Sequence, residues 1–116
     1  MPQEDHRIFA GTFILTTDDF LLNPDNRDLP PFTDLTLPLD LQLLPDLEAR
    51  FSKHRVSILG RVGTRSLGSL EILTLLVDKM VLQAEIARRA FAIFEAGQAG
   101  SALDNWLRAE RQLLGL

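Results

Sequence analysis

Arg61 and Arg65 lie in the glycine-bearing stretch GRVGTRSLGS at 60–69, the part of the chain best equipped for chemistry. Read as a loop running into a helix, it would offer a phosphate or carboxylate free backbone N–H groups, a helix dipole and two guanidinium groups. Arg50, Lys53 and Arg55 extend its basic character, because residues 50–65 contain no acid. Arg55, Arg61 and Arg65 are therefore the candidate anion-binding residues. The chain has no GxxxxGK[ST] and no GxGxxG pattern, and glycines before a helix more often mark a tight turn. Phe51 is the segment's only aromatic residue, short of the stacking platform of a single-strand binder. Anion or nucleic-acid binding through 50–65 is thus the alternative reading, not the leading one.

Other reactive side chains are sparse. There is no cysteine, which excludes disulfides, thiol nucleophiles and thiolate metal sites. His54 ends a short helical stretch, PDLEARFSKH at 45–54, where a cation suits the negative end of the dipole. His6 lies near the chain terminus, and Asp18-Asp19 has no histidine or third carboxylate at ligand spacing. No catalytic residue, metal site or cofactor is assigned, and the reading leans away from an enzyme.

Charge is divided along the chain. Residues 1–49 hold ten acids against Arg7 and Arg27, giving −8, while residues 50–116 hold ten Lys and Arg against six acids, giving +4. The simpler consequence is that the two halves fold onto each other with complementary surfaces; the sharper one is an acidic partner for the basic half. With 116 residues, 46% of them apolar, the chain suits one small domain. The first residues lack the basic-then-apolar order of a secretory signal. The most apolar window, 70–82, contains Glu71, Asp78 and Lys79 and falls short of the ~20 apolar residues a membrane span needs. A cytoplasmic protein with no membrane span is expected.

The elements that would position these residues follow from patterning. Residues 7–15, RIFAGTFIL, alternate as a strand, with Phe9, Phe13 and Leu15 on one face. Residues 23–34 are a proline-punctuated loop. Leu35, Leu37, Leu39, Leu41 and Leu43 alternate with Thr36, Pro38, Asp40 and Gln42, which places all five on one face of an extended segment. Pro38 demotes that segment to an edge strand or arm, where another chain can add. Residues 55–62 read as a further strand. Residues 67–96 read as one long helix, apolar on most of its circumference and so buried on more than one side. At ~1.5 Å per residue such a helix spans ~45 Å, more than a globule of this size covers, so its excess apolar surface calls for a partner. Gly97 and Gly100 end it in a turn over 97–101, and Ser101 with Asp104 forms a capping-box pair that starts a last helix.

The fold expected is α+β in a single domain. Residues 1–63 form short strands or an extended acidic arm with a short helix at 45–54, and residues 67–116 form a long helix and an antiparallel helical hairpin.

Within that last part, IARRAFAIFEAGQAGSALDNWLRAERQLL at 86–114 resembles the bacterial domain of unknown function 2934 family. The matching positions are Ile86, Ala90, Phe91, Phe94, Glu95, Trp106, Leu107, Ala109, Glu110 and Leu113. Phe91 stands where members carry tyrosine, and Asn105 where they carry aspartate before the tryptophan. The resemblance covers a quarter of the chain and implies a helical hairpin with no assigned activity. On this reading Phe91, Phe94, Trp106 and Glu110 are structural, with Trp106 packed between the helices and Glu110 paired with Arg88 or Arg89.

The functional expectation is a non-enzymatic accessory or assembly subunit. Its binding surfaces would be the leucines of 35–43 together with Leu73, Leu76, Val77 and Met80 of the long helix. The partner is a protein, either a copy of the chain itself or a larger complex; nucleic acid ranks below it.

Overall fold

The computed structural model describes residues 6–97 and 100–116. In chain order these form β1 (Arg7–Leu15), β2 (Phe20–Pro24), β3 (Leu35–Thr36), α1 (Leu39–Gln42), α2 (Leu47–Phe51), β4 (His54–Leu67), β5 (Leu70–Leu82), α3 (Gln83–Glu95) and α4 (Ala102–Leu113). The strands make one five-stranded sheet in the order β2-β1-β4-β5-β3. All neighbours are antiparallel except β3 and β5, which pair in parallel. Residues 1–5 of the expected arm and residues 98–99 of the expected turn lie outside the described residues.

This architecture overturns the expected one. The protein is an α+β domain built on a sheet, and the stretch read as one helix over 67–96 is the end of β4, the whole of β5, and α3. The error has a physical cause. A strand buried on both faces is a nearly unbroken apolar run, which periodicity alone does not separate from a buried helix. Ile72, Thr74, Val77 and Val81 are β-branched and suit a pleated surface. The decisive local signal is Leu67-Gly68-Ser69-Leu70, in which Gly68 adopts φ +62° and the two-residue loop turns β4 back into β5. The segment 60–69 is therefore strand and hairpin turn, and no helix begins there. Asp78 falls where the β4–β5 register shifts, Leu59 pairing with Lys79 and Gly60 with Val77. The bulge accommodates the Asp78 charge within a largely apolar strand.

The leucine-alternating segment also departs from its expected form. Only Leu35–Thr36 is strand; Pro38 then precedes α1, its φ of −64° already suited to entering a helix. The five leucines consequently diverge. Leu35 and Leu37 are buried, Leu41 packs against the core, and Leu39 and Leu43 face solvent.

The sheet carries a core on each face, and neighbouring residues of one strand serve different cores. Phe9, Ile58 and Met80 belong to the first, with Phe13, Leu22, Val56, Leu75 and Val77. This face is covered by Leu47 and Phe51 of α2, and Phe13 and Phe51 meet edge to face at 6.5 Å. Ile8, Leu59 and Val81, each one place along its strand, belong to the second core with Ile86, Ile93, Ala109 and Leu114 of the terminal segment. Period two sorts these side chains to opposite faces. At Gly11 a Cβ would sit 2.2 Å from the carbonyl oxygen of Asn23, so glycine is what lets β2 approach β1. No helix among the described residues is long and apolar enough to cross a membrane.

Candidate interaction surfaces

β4 and β5 outrun their neighbours in the sheet. The pairing of β1 with β4 ends at Gly60, and β3 touches β5 only at Leu75 and Leu76. Beyond those points the two strands pair with each other alone, from Gly63–Thr74 to Leu67–Leu70. The result is a two-stranded ribbon roughly 13 Å long, at about 3.3 Å per residue. The molecule measures 55 × 34 × 28 Å, and its radius of gyration of 15.3 Å exceeds the ~13 Å of a compact chain this long.

The ribbon is apolar where it is free. Leu67 is 54% exposed, Leu70 64% and Leu73 73%, and Val62 at the base of the ribbon is 51% exposed. The register places Val62 and Leu73 as diagonal neighbours on one face, and pairs Leu67 directly with Leu70 on the other. Both outer edges of the ribbon present backbone groups outside the sheet's pairing.

The residues expected to bind a partner are divided by this arrangement. Leu35, Leu37, Val77 and Met80 are in the first core. Leu76 is half-buried, its Cδ1 occupying the space a Cβ of Gly63 would take. Leu39, Leu43 and Leu73 remain exposed.

The three arginines proposed for an anion do not converge. Arg55 and Arg65 lie near opposite ends of β4, roughly 33 Å apart along an extended strand. Arg55 Nη2 donates to Asp25 Oδ2 at 2.8 Å, and Gln83 Nε2 donates to the same oxygen at 3.2 Å. Burial pushes the Asp25 carboxyl up, but the Arg55 and Gln83 hydrogen bonds and the Arg55 charge outweigh it and hold its pKa below the usual value. Arg65 grips Asp34 with two hydrogen bonds, Nε to Oδ2 at 2.8 Å and Nη2 to Oδ1 at 2.6 Å. This fork holds Asp34 below the usual carboxylate range against the opposing effect of burial, and raises Arg65. Arg61, just before the ribbon on β4, is exposed. Both ion pairs join the acidic half of the chain to the basic half, so part of the charge division is used internally.

The terminal helices supply the remaining candidates. Ser101 caps α4: its Oγ accepts from Asp104 N at 3.1 Å, and its N–H donates to Asp104 Oδ2 at 3.2 Å. α4 packs along α3, where Arg89 Nε donates to Gln112 Oε1 at 3.0 Å. Glu110 faces neither Arg88 nor Arg89 in an ion pair. It reaches the sheet, where Ser57 Oγ donates to its Oε2 at 2.6 Å in a buried contact. Trp106 is half-buried against the second core. Phe91 and Phe94 are 59% and 65% exposed, outside that core.

Sequence reasoning passed over Ser57, Asp34, Val62, Leu67 and Leu70. Ser57 and Asp34 carry no local signal, since their partners are 53 and 31 residues away. The ribbon leucines had one, in the Gly-Ser pair between two apolar strands. No protein-family model and no curated protein matches the chain.

Proposed function

We propose that the chain is a non-enzymatic protein-interaction module that docks a protein partner through the β4–β5 ribbon, with Leu39 of α1 and Leu43 just after it as further contacts. The observation that carries this is the ribbon itself: Leu67, Leu70 and Leu73, each more than half exposed, on a two-stranded projection with unpaired edges, and Val62, equally exposed, at its base. Apolar surface of this kind is costly in water, and free strand edges invite another strand. Addition of a partner strand would satisfy the backbone, and alternate side chains would supply selectivity. Leu35, Leu37, Val77 and Met80 leave the expected docking set because the protein's own core uses them. The partner is a second copy or a larger complex. We place this role in the cytoplasm, in keeping with a chain that contains no cysteine. Membership of 86–114 in the domain of unknown function 2934 family is likewise proposed, on its Trp-Leu-x-Ala-Glu residues alone.

The test combines sedimentation velocity with affinity capture, using wild type and the double variant Leu70→Ser with Leu73→Ser. Both positions are exposed, so the fold should persist by circular dichroism. Self-association or a captured partner that disappears in the variant supports the reading. A wild-type chain that stays monomeric, and captures nothing the variant does not, rejects it.

A further inference from the structure

A groove of about 400 Å³ runs between α3 and α4, apart from the ribbon, and its composition is that of a ligand site. Phe91, Phe94 and Trp106 form its aromatic walls. The two phenylalanines are one turn apart, with ring centroids 6.3 Å apart and planes tilted by 34°. Aromatic side chains ordinarily carry much of a core's burial, and here two of them stand in solvent while Ile86 and Ile93 do that work on the same helix. Neither phenylalanine is therefore needed to hold α3 to the sheet.

The second observation is polar. Asn105 lines the groove, is only 4% exposed, and its Oδ1 is buried with no hydrogen-bond partner. A desolvated acceptor left unpaired is unfavourable, and native structures rarely keep one without a use. Gly100, also in the lining, is close to it: a Cβ built there would lie 3.6 Å from Asn105 Oδ1 and only 3.2 Å from Asp104 Cβ, so any side chain would crowd this corner. An apolar, aromatic-walled groove with one unpaired amide acceptor among its lining residues matches the general make-up of small-molecule sites, whose volumes run from about 300 to 1,000 Å³.

We propose that this groove binds a planar aromatic small molecule carrying one N–H or O–H donor. Its ring system lies between the phenylalanine pair and the Trp106 indole, and its donor is accepted by Asn105 Oδ1. The aromatic walls select a flat apolar body, and the single acceptor fixes its orientation. A ligand lacking the donor would leave the amide oxygen buried and unpaired, so the site discriminates between otherwise similar rings.

Indole and 1-methylindole serve as probes, identical in shape but for the methyl group that removes the donor. Each is titrated into the full chain while the Nε1–H resonance of Trp106, the only tryptophan, is followed by NMR. Saturable shifts are expected with both, with indole binding roughly tenfold more tightly, the worth of one good hydrogen bond. Asn105→Leu should abolish that preference while retaining binding. Phe91→Ser with Phe94→Ser, at exposed positions that leave the fold intact, should weaken both probes. Absence of saturable shifts, equal affinity for the two probes, or indifference to the double phenylalanine variant overturns the proposal. So does a preference that survives in a folded Asn105→Leu variant.

Discussion

Ser57 Oγ on β4 donates a 2.6 Å hydrogen bond to Glu110 Oε2 on α4, and both residues are buried. The contact fastens the last helix to the centre of the sheet, beside the second core formed by Val81, Ile86, Ile93, Ala109 and Leu114. Apolar burial supplies most of the attraction across this layer, but it is non-directional. The hydroxyl–carboxyl contact sets where along the sheet α4 comes to rest. The second core, the position of Trp106 and the groove beside it all depend on that placement.

Removing one member of the pair should cost more than removing both. Ser57→Ala leaves the Glu110 carboxyl buried without its donor and is expected to destabilise the fold by about 1–3 kcal/mol. Adding Glu110→Met in the same chain replaces the polar pair with apolar groups of similar reach and should recover most of the loss. Urea denaturation of the wild type, both single variants and the double variant checks this as a thermodynamic cycle. Strict additivity would show that the pair is not coupled.

Leu73 and Leu75 lie on the same face of β5, two residues apart, yet should respond oppositely to truncation. Leu75 is fully buried against Leu35 and the first core, so Leu75→Ala should cost about 2–5 kcal/mol. Leu73 is on the free ribbon, so Leu73→Ala should change stability by no more than about 0.5 kcal/mol. Denaturation midpoints of the two variants decide the matter. A large loss at Leu73 would mean that the ribbon packs on its own domain and does not project from it.

The fork between Arg65 and Asp34 predicts a pH dependence of definite sign. Asp34 has its pKa lowered in the folded protein, so the unfolded chain binds a proton there first as pH falls. Its contribution is present above the usual aspartate range and is lost as pH drops through the lowered folded value. Arg65 stays protonated across this window and adds no dependence of its own. Asp34→Asn keeps the backbone carbonyl that accepts from Leu75 N while removing the titrating group. The stability gap between wild type and Asp34→Asn, measured by urea melts, should be constant near neutrality and narrow below about pH 4. Arg65→Gln should lower stability only modestly at pH 7, because its side chain is 37% exposed and the pair is partly screened by solvent.

Local features of the fold were legible in the chain. The alternation of Phe9, Phe13 and Leu15 against Ile8, Ala10 and Thr12 marks β1 over the span it occupies, since a strand's two faces meet different surroundings. Ser101 and Asp104 cap α4 reciprocally, because capping involves backbone groups only three residues away. The charge division led to Arg55–Asp25 and Arg65–Asp34, although the individual pairings could not be read. β5 was illegible as a strand. Its run LEILTLLVDKMVL is apolar on both sides because both faces of the sheet are covered near its second half, and this erases the period-two signature. Of the surfaces, the leucines of the ribbon were visible as leucines, but their exposure was not.

The amino-acid sequence by itself determined what depends on a few consecutive residues: the turn at Gly68, the cap at Ser101, the alternation in β1 and the separation of acids from bases. Tertiary structure alone decided which of several equivalent leucines became core and which became surface, and which hydroxyl met Glu110. The reason is that burial belongs to a position and not to a residue. Leu73 and Leu75 have the same side chain, strand and face, and differ only in whether the fold places anything opposite them.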